Sequence, residues 1–557
     1  MTFTRLYILK RSSGEDRCKG HSACGCRACE GGPALNITVK NGVKTAISQE
    51  VMRKINSLKA SFPNGKPIGI TFETRSRKYL YDTNTGKVME CDEAEHALLQ
   101  KILAGDFDGL EELAEVYGPE LGSAAENLLA VMKEENILSV AVFKKMYIPE
   151  DFEKTINSEL RQMVIELTEK CNLRCGYCIY NEGCDQNRNF GTRDISEETA
   201  LKAVDYAIAH SKESKELAIT FYGGEPLIKY DLMKKCVDYA KEKIRDKELT
   251  FSFTTNGVLM TRKIAEEIAR IEGMSLLLSI DGPKEIHDLY RRNAEGKGSF
   301  DEAVRGLRYA VEAFGDRAKD SIILSMVYAP PYSPEKLQQI QDFFDGLDWL
   351  PGGIDKFVTY PSDESVDCIR AYMHKNNIPR STAQEKAGDD SLLHWSDERY
   401  ADKNLFSRKV LNEIYLRIYK RQIFCESVDA ICMNGCCLPG HRRLYVTVNG
   451  DFKMCERVGE IPNIGNLETG IDLDTIRRRY LLEYYEKSIE SCSACWAARL
   501  CNLCYTHSYD EKGFNAGKKE KNCQSIRSSF GQGFCTYFEK LESDPDYFDF
   551  MEDIELK

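Results

Sequence analysis

The chain has 557 residues, of which 42% are hydrophobic, 29% charged and 10% aromatic; that excludes global disorder and is enough for several domains at about 100–200 residues each. Its 88 acidic residues outnumber 76 basic ones, a net charge of −12, which excludes a chain-wide basic footprint for nucleic acid. No apolar run reaches the roughly 18–20 residues of a membrane span, and residues 1–10 lack a secretory pattern, so the chain is read as cytoplasmic, with neither a membrane nor a nucleic acid as partner.

Residues 1–65 have weak periodicity. The stretch 11–32 is rich in Gly, Ser, Cys and charge, and a helix fits 48–60. From Pro67 the pattern sharpens into a strand over 68–73 and a hairpin, 78–81 and 87–90, around Asp82-Thr83-Asn84-Thr85-Gly86. A helix from Asp92 places Ala94, Leu98, Leu99 and Ile102 on one face. A second follows over 110–117 and is broken by Gly118-Pro119; a third spans 123–136, and a strand closes the unit over 137–143. Residues 66–145 therefore read as a small winged-helix-like module.

From residue 146 to about 360, strands and helices alternate. The expected strands are 163–167, 217–222, 250–254, 276–280, 322–327 and 355–360, with helices between them at 196–210, from 231, 262–271, 300–313 and 334–344. Repeated βα units imply a parallel sheet, here a partial (β/α)6 barrel, with reactive groups at the C-terminal strand ends. Residues 361–424 connect this region to a cysteine-dense segment, 425–557, which opens with a hairpin over 444–448 and 452–454 and ends in an acidic tail from 542.

The 22 cysteines fall in clusters: Cys18, Cys24, Cys26 and Cys29; Cys171, Cys175 and Cys178; and eleven between Cys425 and Cys535. In a reducing compartment clustered thiols read as metal or cluster ligands rather than a disulfide framework. Cys91, Cys184, Cys236 and Cys368 are scattered and read as ordinary thiols; His441 and His507 read as packing residues. The first cluster is open between a metal knuckle, a segment imitating a cysteine-rich substrate, and a redox-sensitive arm.

Cys171-x3-Cys175-x2-Cys178, with Tyr177 before the last cysteine, follows directly on the first barrel strand. Three thiolates in one short loop can hold three irons of a cubane and leave the fourth open; a zinc site completed elsewhere is the alternative. Gly223-Gly224-Glu225-Pro226 follows the second strand, Thr255-Asn256-Gly257 the third, and Ser279-Ile280-Asp281-Gly282 the fourth. Together these resemble the radical S-adenosylmethionine (SAM) superfamily. The resemblance implies that Gly223, Gly224, Glu225 and Pro226 receive the SAM amino group, that Asn256 and Asp281 lie beside the cofactor, and that Ser279 with Arg291 or Arg292 takes its carboxylate.

Downstream, Cys437-x12-Gly450-x4-Cys455 precedes Cys492-x2-Cys495-x5-Cys501-x2-Cys504 and Cys523. This resembles the SPASM extension of peptide-modifying radical SAM enzymes, with two residues where the pattern has three between Cys501 and Cys504. The resemblance implies two auxiliary [4Fe–4S] clusters beside the SAM-binding one. One is held by Cys492, Cys495, Cys501 and Cys523; the other by Cys437, Cys455 and Cys504, with Cys432 or Cys436 as fourth ligand or an open site. A tandem zinc ribbon is the competing reading of these spacings. The 66–145 module is similar to the recognition element of ribosomal-peptide maturases. The implied activity is thioether formation in a cysteine-rich precursor peptide bearing a leader, with flavodoxin or ferredoxin as electron donor. An anaerobic sulfatase-maturing enzyme is the same-fold alternative, and a zinc-binding regulatory protein the alternative from another class.

Overall fold

The computed structural model describes residues 6–7, 48–140, 145–146, 151–181, 190–359, 361, 366–379, 413–426, 430–431 and 437–554. Ser48 opens the first helix, Gln49–Ala60, by accepting from the Val51 amide at 3.2 Å. Val51, Ile55 and Leu58 then fall on one face and join the core under the helices Glu93–Ala104, Gly109–Tyr117 and Pro119–Glu135. Asp92 and Glu95 form a reciprocal capping box at the start of Glu93–Ala104, which adds about 0.5–2 kcal/mol to that end. The first helix thus packs into the core of the module.

The module's sheet contains β1 (Leu6–Tyr7), β2 (Gly69–Glu73), β3 (Lys78–Asp82) and β4 (Val88–Cys91) in the order β1-β4-β3-β2. The expected closing strand does not form over 137–140. Leu138 takes a φ of 58°, its amide donates to Asp82 Oδ1 at 3.0 Å, and it buries with Ile137. Capping the 82–86 turn replaces strand pairing there. The fourth strand comes instead from Leu6–Tyr7, antiparallel to β4. Pro119 begins a helix rather than only ending one, since its missing N–H has no partner to lose at the first helical position.

A short parallel pair, β5 (Lys145–Met146) with β12 (Ala430–Ile431), ties the entrance of the central region to the cysteine-dense segment. The central sheet runs β6 (Gln162–Thr168), β7 (Glu216–Gly223), β8 (Glu248–Thr255), β9 (Met274–Ser279), β10 (Ile322–Val327) and β11 (Asp355–Thr359), each parallel to its neighbour. The six expected strands are all present. The C-terminal hairpin, β13 (Arg443–Val446) with β14 (Phe452–Lys453), does not stand apart. β13 pairs parallel to β6, Leu444 opposite Met163, so the sheet has eight strands with β11 and β14 at its edges.

The helix Ala516–Ser543 lies across the outer face of the module sheet. Phe534 stands 5.2 Å from Phe72 and 4.8 Å from Tyr81, ring to ring, and Phe538 4.9 Å from Tyr79. Such pairs contribute about 0.5–1.5 kcal/mol each beyond their buried area. The module sheet is therefore covered on both faces. The acidic tail is not free over its described part: Phe548 and Met551 are buried, and Phe548 stacks on Tyr537 at 4.1 Å. Among the described residues no helix is long and apolar enough to cross a membrane.

Candidate active site

β6 ends at Thr168 and hands the chain to the loop of Cys171, Cys175 and Cys178. Its path is fixed by backbone bonds: the Arg174 amide to the Arg292 carbonyl at 2.6 Å, Gly176 to Tyr290 at 3.0 Å, and Cys178 to Cys175 at 3.1 Å. Gly176 passes so close to Tyr372 that a Cβ would lie 2.6 Å from its ring. Burial pushes the Cys171 and Cys175 thiols up to about 12, with Cys175 adding to Cys171 and Cys178 to Cys175. Neutral buried thiols packed side by side are what a cubane converts to thiolates. Among the described residues no three His, Cys, Asp or Glu side chains are disposed around a single metal ion; the thiolates of a cubane each bind a different iron and stand further apart.

The other strand ends meet this loop. The Gly224 amide donates to the Thr168 carbonyl at 2.8 Å and the Glu225 amide to that of Lys170 at 2.9 Å. A Cβ on Gly223 or Gly224 would sit 2.2 Å from those same two carbonyl oxygens, so both positions need glycine. Glu225 is 1% exposed. It accepts from the Leu227 amide at 3.0 Å, Thr255 Oγ1 at 2.8 Å and the Asn256 amide at 2.8 Å. Burial outweighs these bonds and lifts its carboxyl to about 7. Asn256 Nδ2 reaches Asn172 Oδ1 at 2.8 Å and Cys171 Sγ at 3.9 Å, linking the third strand end to the first thiol. Asn172 had no signal in the sequence beyond its place in the loop.

At the fourth strand end, Asp281 is the hub. Tyr177 donates its phenol proton to Oδ2, Arg291 Nε lies 2.9 Å from the same oxygen, and the Val327 amide donates to Oδ1 at 2.9 Å. His287, fully buried and lowered to about 4 by that burial, accepts from the Asp281 amide at 3.3 Å. Ser279 is 8% exposed at the end of β9. Of the two candidate arginines, Arg291 turns inward to Asp281, while Arg292 bonds the Asp288 carbonyl at 2.9 Å and Asn376 Oδ1 at 3.4 Å. Pro226 begins a short helix that Glu225 caps.

A second thiol site lies in the C-terminal region. Cys492, Cys495, Cys501 and Cys523 line one small cavity together with Lys519 and Arg527. Lys519 Nζ is 3.4 Å from Cys492 Sγ and 3.6 Å from Cys523 Sγ, and Arg527 hydrogen-bonds Cys495. Burial pushes Cys501 up to about 12 and raises Cys495 and Cys523. Four thiols around one void, flanked by two cations that would offset a net-negative cluster, fit a four-thiolate cubane.

The other implied set is brought together in part. Cys455 is pushed up to about 12 by burial, then by Glu456 and Cys504 beside it. Cys437 is exposed. Cys432, Cys436, Cys184 and the cluster Cys18, Cys24, Cys26 and Cys29 lie outside the described residues. Cys91 and Cys236 are buried free thiols. Cys368 is disulfide-bonded, which corrects its reading as an ordinary thiol.

Between the strand ends and the C-terminal hairpin lies a polar cavity of about 110 Å3, lined among others by Glu169, Tyr180, Arg193, Lys453 and Glu456. Arg193 Nη2 pairs with Glu169 at 2.6 Å and Arg443 Nη1 with Glu456 at 2.8 Å.

Residues 165–344 match the radical SAM superfamily. A serine-type anaerobic sulfatase-maturating enzyme of Bacteroides thetaiotaomicron is 33% identical over 146 residues, 26% of this chain and 35% of that protein. The mycofactocin maturase MftC of Mycolicibacterium smegmatis is 31% identical over 180 residues, 32% of this chain and 40% of that protein. The chain thus spans well under half the length of these two relatives. The solved structure of native anSMEcpe with bound AdoMet covers 71% of this chain and all of its own, at 18% identity and a TM-score of 0.46.

Proposed function

On the premise that this chain carries a radical SAM domain, we propose that it is a peptide maturase that joins cysteine sulfur to carbon in a ribosomally made, cysteine-rich precursor. The observation that carries this reading is the four-cysteine cavity in the same chain as the three-cysteine loop. A chain that only cleaved SAM would need no second cluster.

Cys171, Cys175 and Cys178 would hold a [4Fe–4S] cluster, which when bound would supply the one-electron chemistry for reductive SAM cleavage and hydrogen abstraction from a peptide carbon. The chain's own residues prepare that event. Gly223 and Gly224 bring backbone close to the loop, and Glu225 offers the carboxylate for an ammonium group. Arg291, held by Asp281 and Tyr177, and Ser279 flank the position for the SAM carboxylate. Cys492, Cys495, Cys501 and Cys523 would hold an auxiliary cluster, which would supply an acceptor for the second electron; Cys437, Cys455 and Cys504, with Cys432 or Cys436, would hold another. The module containing β2, β3 and β4 takes the leader of the precursor, and a flavodoxin or ferredoxin delivers electrons.

The identity to a sulfatase-maturating enzyme favours formylglycine formation as the second reading. One experiment separates the two. The reconstituted protein is incubated with SAM, a reductant and either a cysteine-rich precursor peptide with its leader or a sulfatase-derived peptide. Thioether formation removes alkylatable thiols and a hydrogen pair per link from the first peptide. Conversion of the second peptide alone would overturn the proposal.

A further inference from the structure

The turn Asp82–Gly86 reads in sequence as an exposed hairpin end, polar throughout. In the fold it is interior: Asp82, Thr83, Asn84 and Thr85 are at most 1% exposed. What buries it is the stretch between two of the cysteines of the four-thiol cavity. Thr83 Oγ1 donates to the Trp496 carbonyl at 2.8 Å. Arg499 Nη1 donates to the Asn84 carbonyl at 2.6 Å and the Thr83 carbonyl at 3.3 Å, and its Nη2 to the Gln422 carbonyl at 3.2 Å. Gly86, at a φ of 74°, lies so close to Gln422 that a Cβ would stand 2.3 Å from its carbonyl oxygen. Arg421 Nε closes the contact on the Gly86 carbonyl at 2.7 Å.

Trp496 directly follows Cys495, and Arg499 stands two residues before Cys501. The intervening chain is a run of tight turns, with the Cys495 amide on the Cys492 carbonyl at 3.1 Å and Ala498 on Cys495 at 3.1 Å. No strand or long helix stiffens it, so the separation of the Cys495 and Cys501 sulfurs depends on what grips Trp496 and Arg499. That grip comes from a turn more than 400 residues earlier in the chain.

We propose that the Thr83–Gly86 turn is a positioning element for the four-cysteine site. By clamping residues 496–499 it sets the spacing of Cys495 and Cys501 and the water access, and with them the retention and reduction potential of the cluster held there. This rests on the reading that Cys492, Cys495, Cys501 and Cys523 hold a cluster. The N-terminal module is then a structural part of the redox site as well as a peptide reader. Partners behind cluster ligands tune both affinity and potential, and their loss typically costs about 10–100-fold in metal affinity.

The test uses full-length protein carrying Cys171→Ala, Cys175→Ala and Cys178→Ala, so that only auxiliary iron remains. Thr83→Val removes one hydroxyl at constant shape; Arg499→Lys removes the forked donor. Tyr79→Phe is the control. It breaks the Tyr79–Glu542 bond of 3.0 Å in the same interface between the module and the helix Ala516–Ser543. Iron content, the rate of iron loss to a chelator and the redox midpoint are measured for each. We expect Thr83→Val and Arg499→Lys to lose about four irons roughly 10-fold faster and to shift the midpoint, with Tyr79→Phe like the parent. Equal rates and midpoints in all proteins overturn the proposal, as does an equal change in the control, which marks general loosening. If Arg499→Lys fails to fold, Thr83→Val decides alone. A parent that holds no auxiliary iron overturns the cluster reading itself, a distinguishable outcome.

Discussion

Arg291 Nε lies 2.9 Å from Asp281 Oδ2, and neither residue meets solvent, being 7% and 2% exposed. Such a pair adds little net stability when intact, yet removing one partner strands a buried charge at about 3–5 kcal/mol. Asp281→Asn should therefore destabilise the protein by about that amount in anaerobic urea unfolding. Burial alone would raise Asp281, but Arg291 and then His287 outweigh it and hold the carboxyl below its ordinary 3.8. A carboxyl lowered in this way contributes fully above 3.8 and loses its contribution only as pH falls through the folded value. Wild-type stability should thus show no step from this pair near neutrality. An Asp281→Asn protein within about 1 kcal/mol of the parent would mean that Arg291 has another counter-charge.

Glu225 gives the opposite sign. Burial raises its folded value to about 7, above the ordinary 4.5, so the folded state favours the neutral acid. This residue opposes folding increasingly as pH rises from 4.5 to about 7, and by a constant amount above that. A cationic amino group on Glu225 requires the carboxylate. SAM affinity, measured by equilibrium dialysis, should therefore weaken as pH falls below about 7. Glu225→Gln should bind weakly at every pH. A pH-independent affinity in the parent would remove Glu225 from the ammonium site.

Much of this site is legible without coordinates, because each motif sits where a strand runs out. Apolar runs such as Leu276–Leu277–Leu278 mark the strands, and Gly223, Asn256 and Asp281 lie at their C-terminal ends or within two residues of them. The relations that were not legible are between segments far apart in the chain. Nothing in the sequence near Leu444 indicates that it pairs with Met163. The polar 82–86 turn carries every composition cue of a solvent-exposed loop, and only the arginines at 421 and 499, which satisfy its carbonyls, explain why it is buried. The tail from 542 is acidic on average, yet Phe548 and Met551 anchor it; a mean charge hides two buried side chains.

Cluster content follows from the two thiol sites. If all three sets are filled, the chain carries about twelve irons. Replacing Cys171, Cys175 and Cys178 together by Ala should leave about eight and abolish 5′-deoxyadenosine formation. Replacing Cys501 and Cys523 should also remove about four, yet leave uncoupled SAM cleavage, because their cavity shares no residue with the strand-end site. Cluster ligands also hold their domain together, so soluble monodisperse protein is the condition for comparison. Deoxyadenosine from the first variant, or none from a well-folded second, would reassign the sites.

The module's sheet has β1 at one edge and β2 at the other. β3 is interior, paired to β2 and β4, so a proline at Tyr81 would remove a ladder donor from a central strand and disrupt the module rather than probe recognition. β4 has β3 on one side and, among the described residues, Leu6 opposite Met89 and Tyr7 opposite Val88 on the other. An extended leader that adds to this sheet at β4 must displace those residues. These two residues offer one or two backbone hydrogen bonds, each about 1 kcal/mol net, so the occupant weakens a competing strand by about five- to thirtyfold. Tyr7→Pro removes an amide from the pairing without touching β4 itself. The probe is a labelled synthetic peptide of residues 1–12 of this chain, titrated by fluorescence anisotropy. It should bind the Tyr7→Pro protein about five- to thirtyfold more tightly than the parent. A proline at Met89, on β4, should abolish binding to both. Equal affinity for parent and variant would mean that β4 is not the edge at which peptides add.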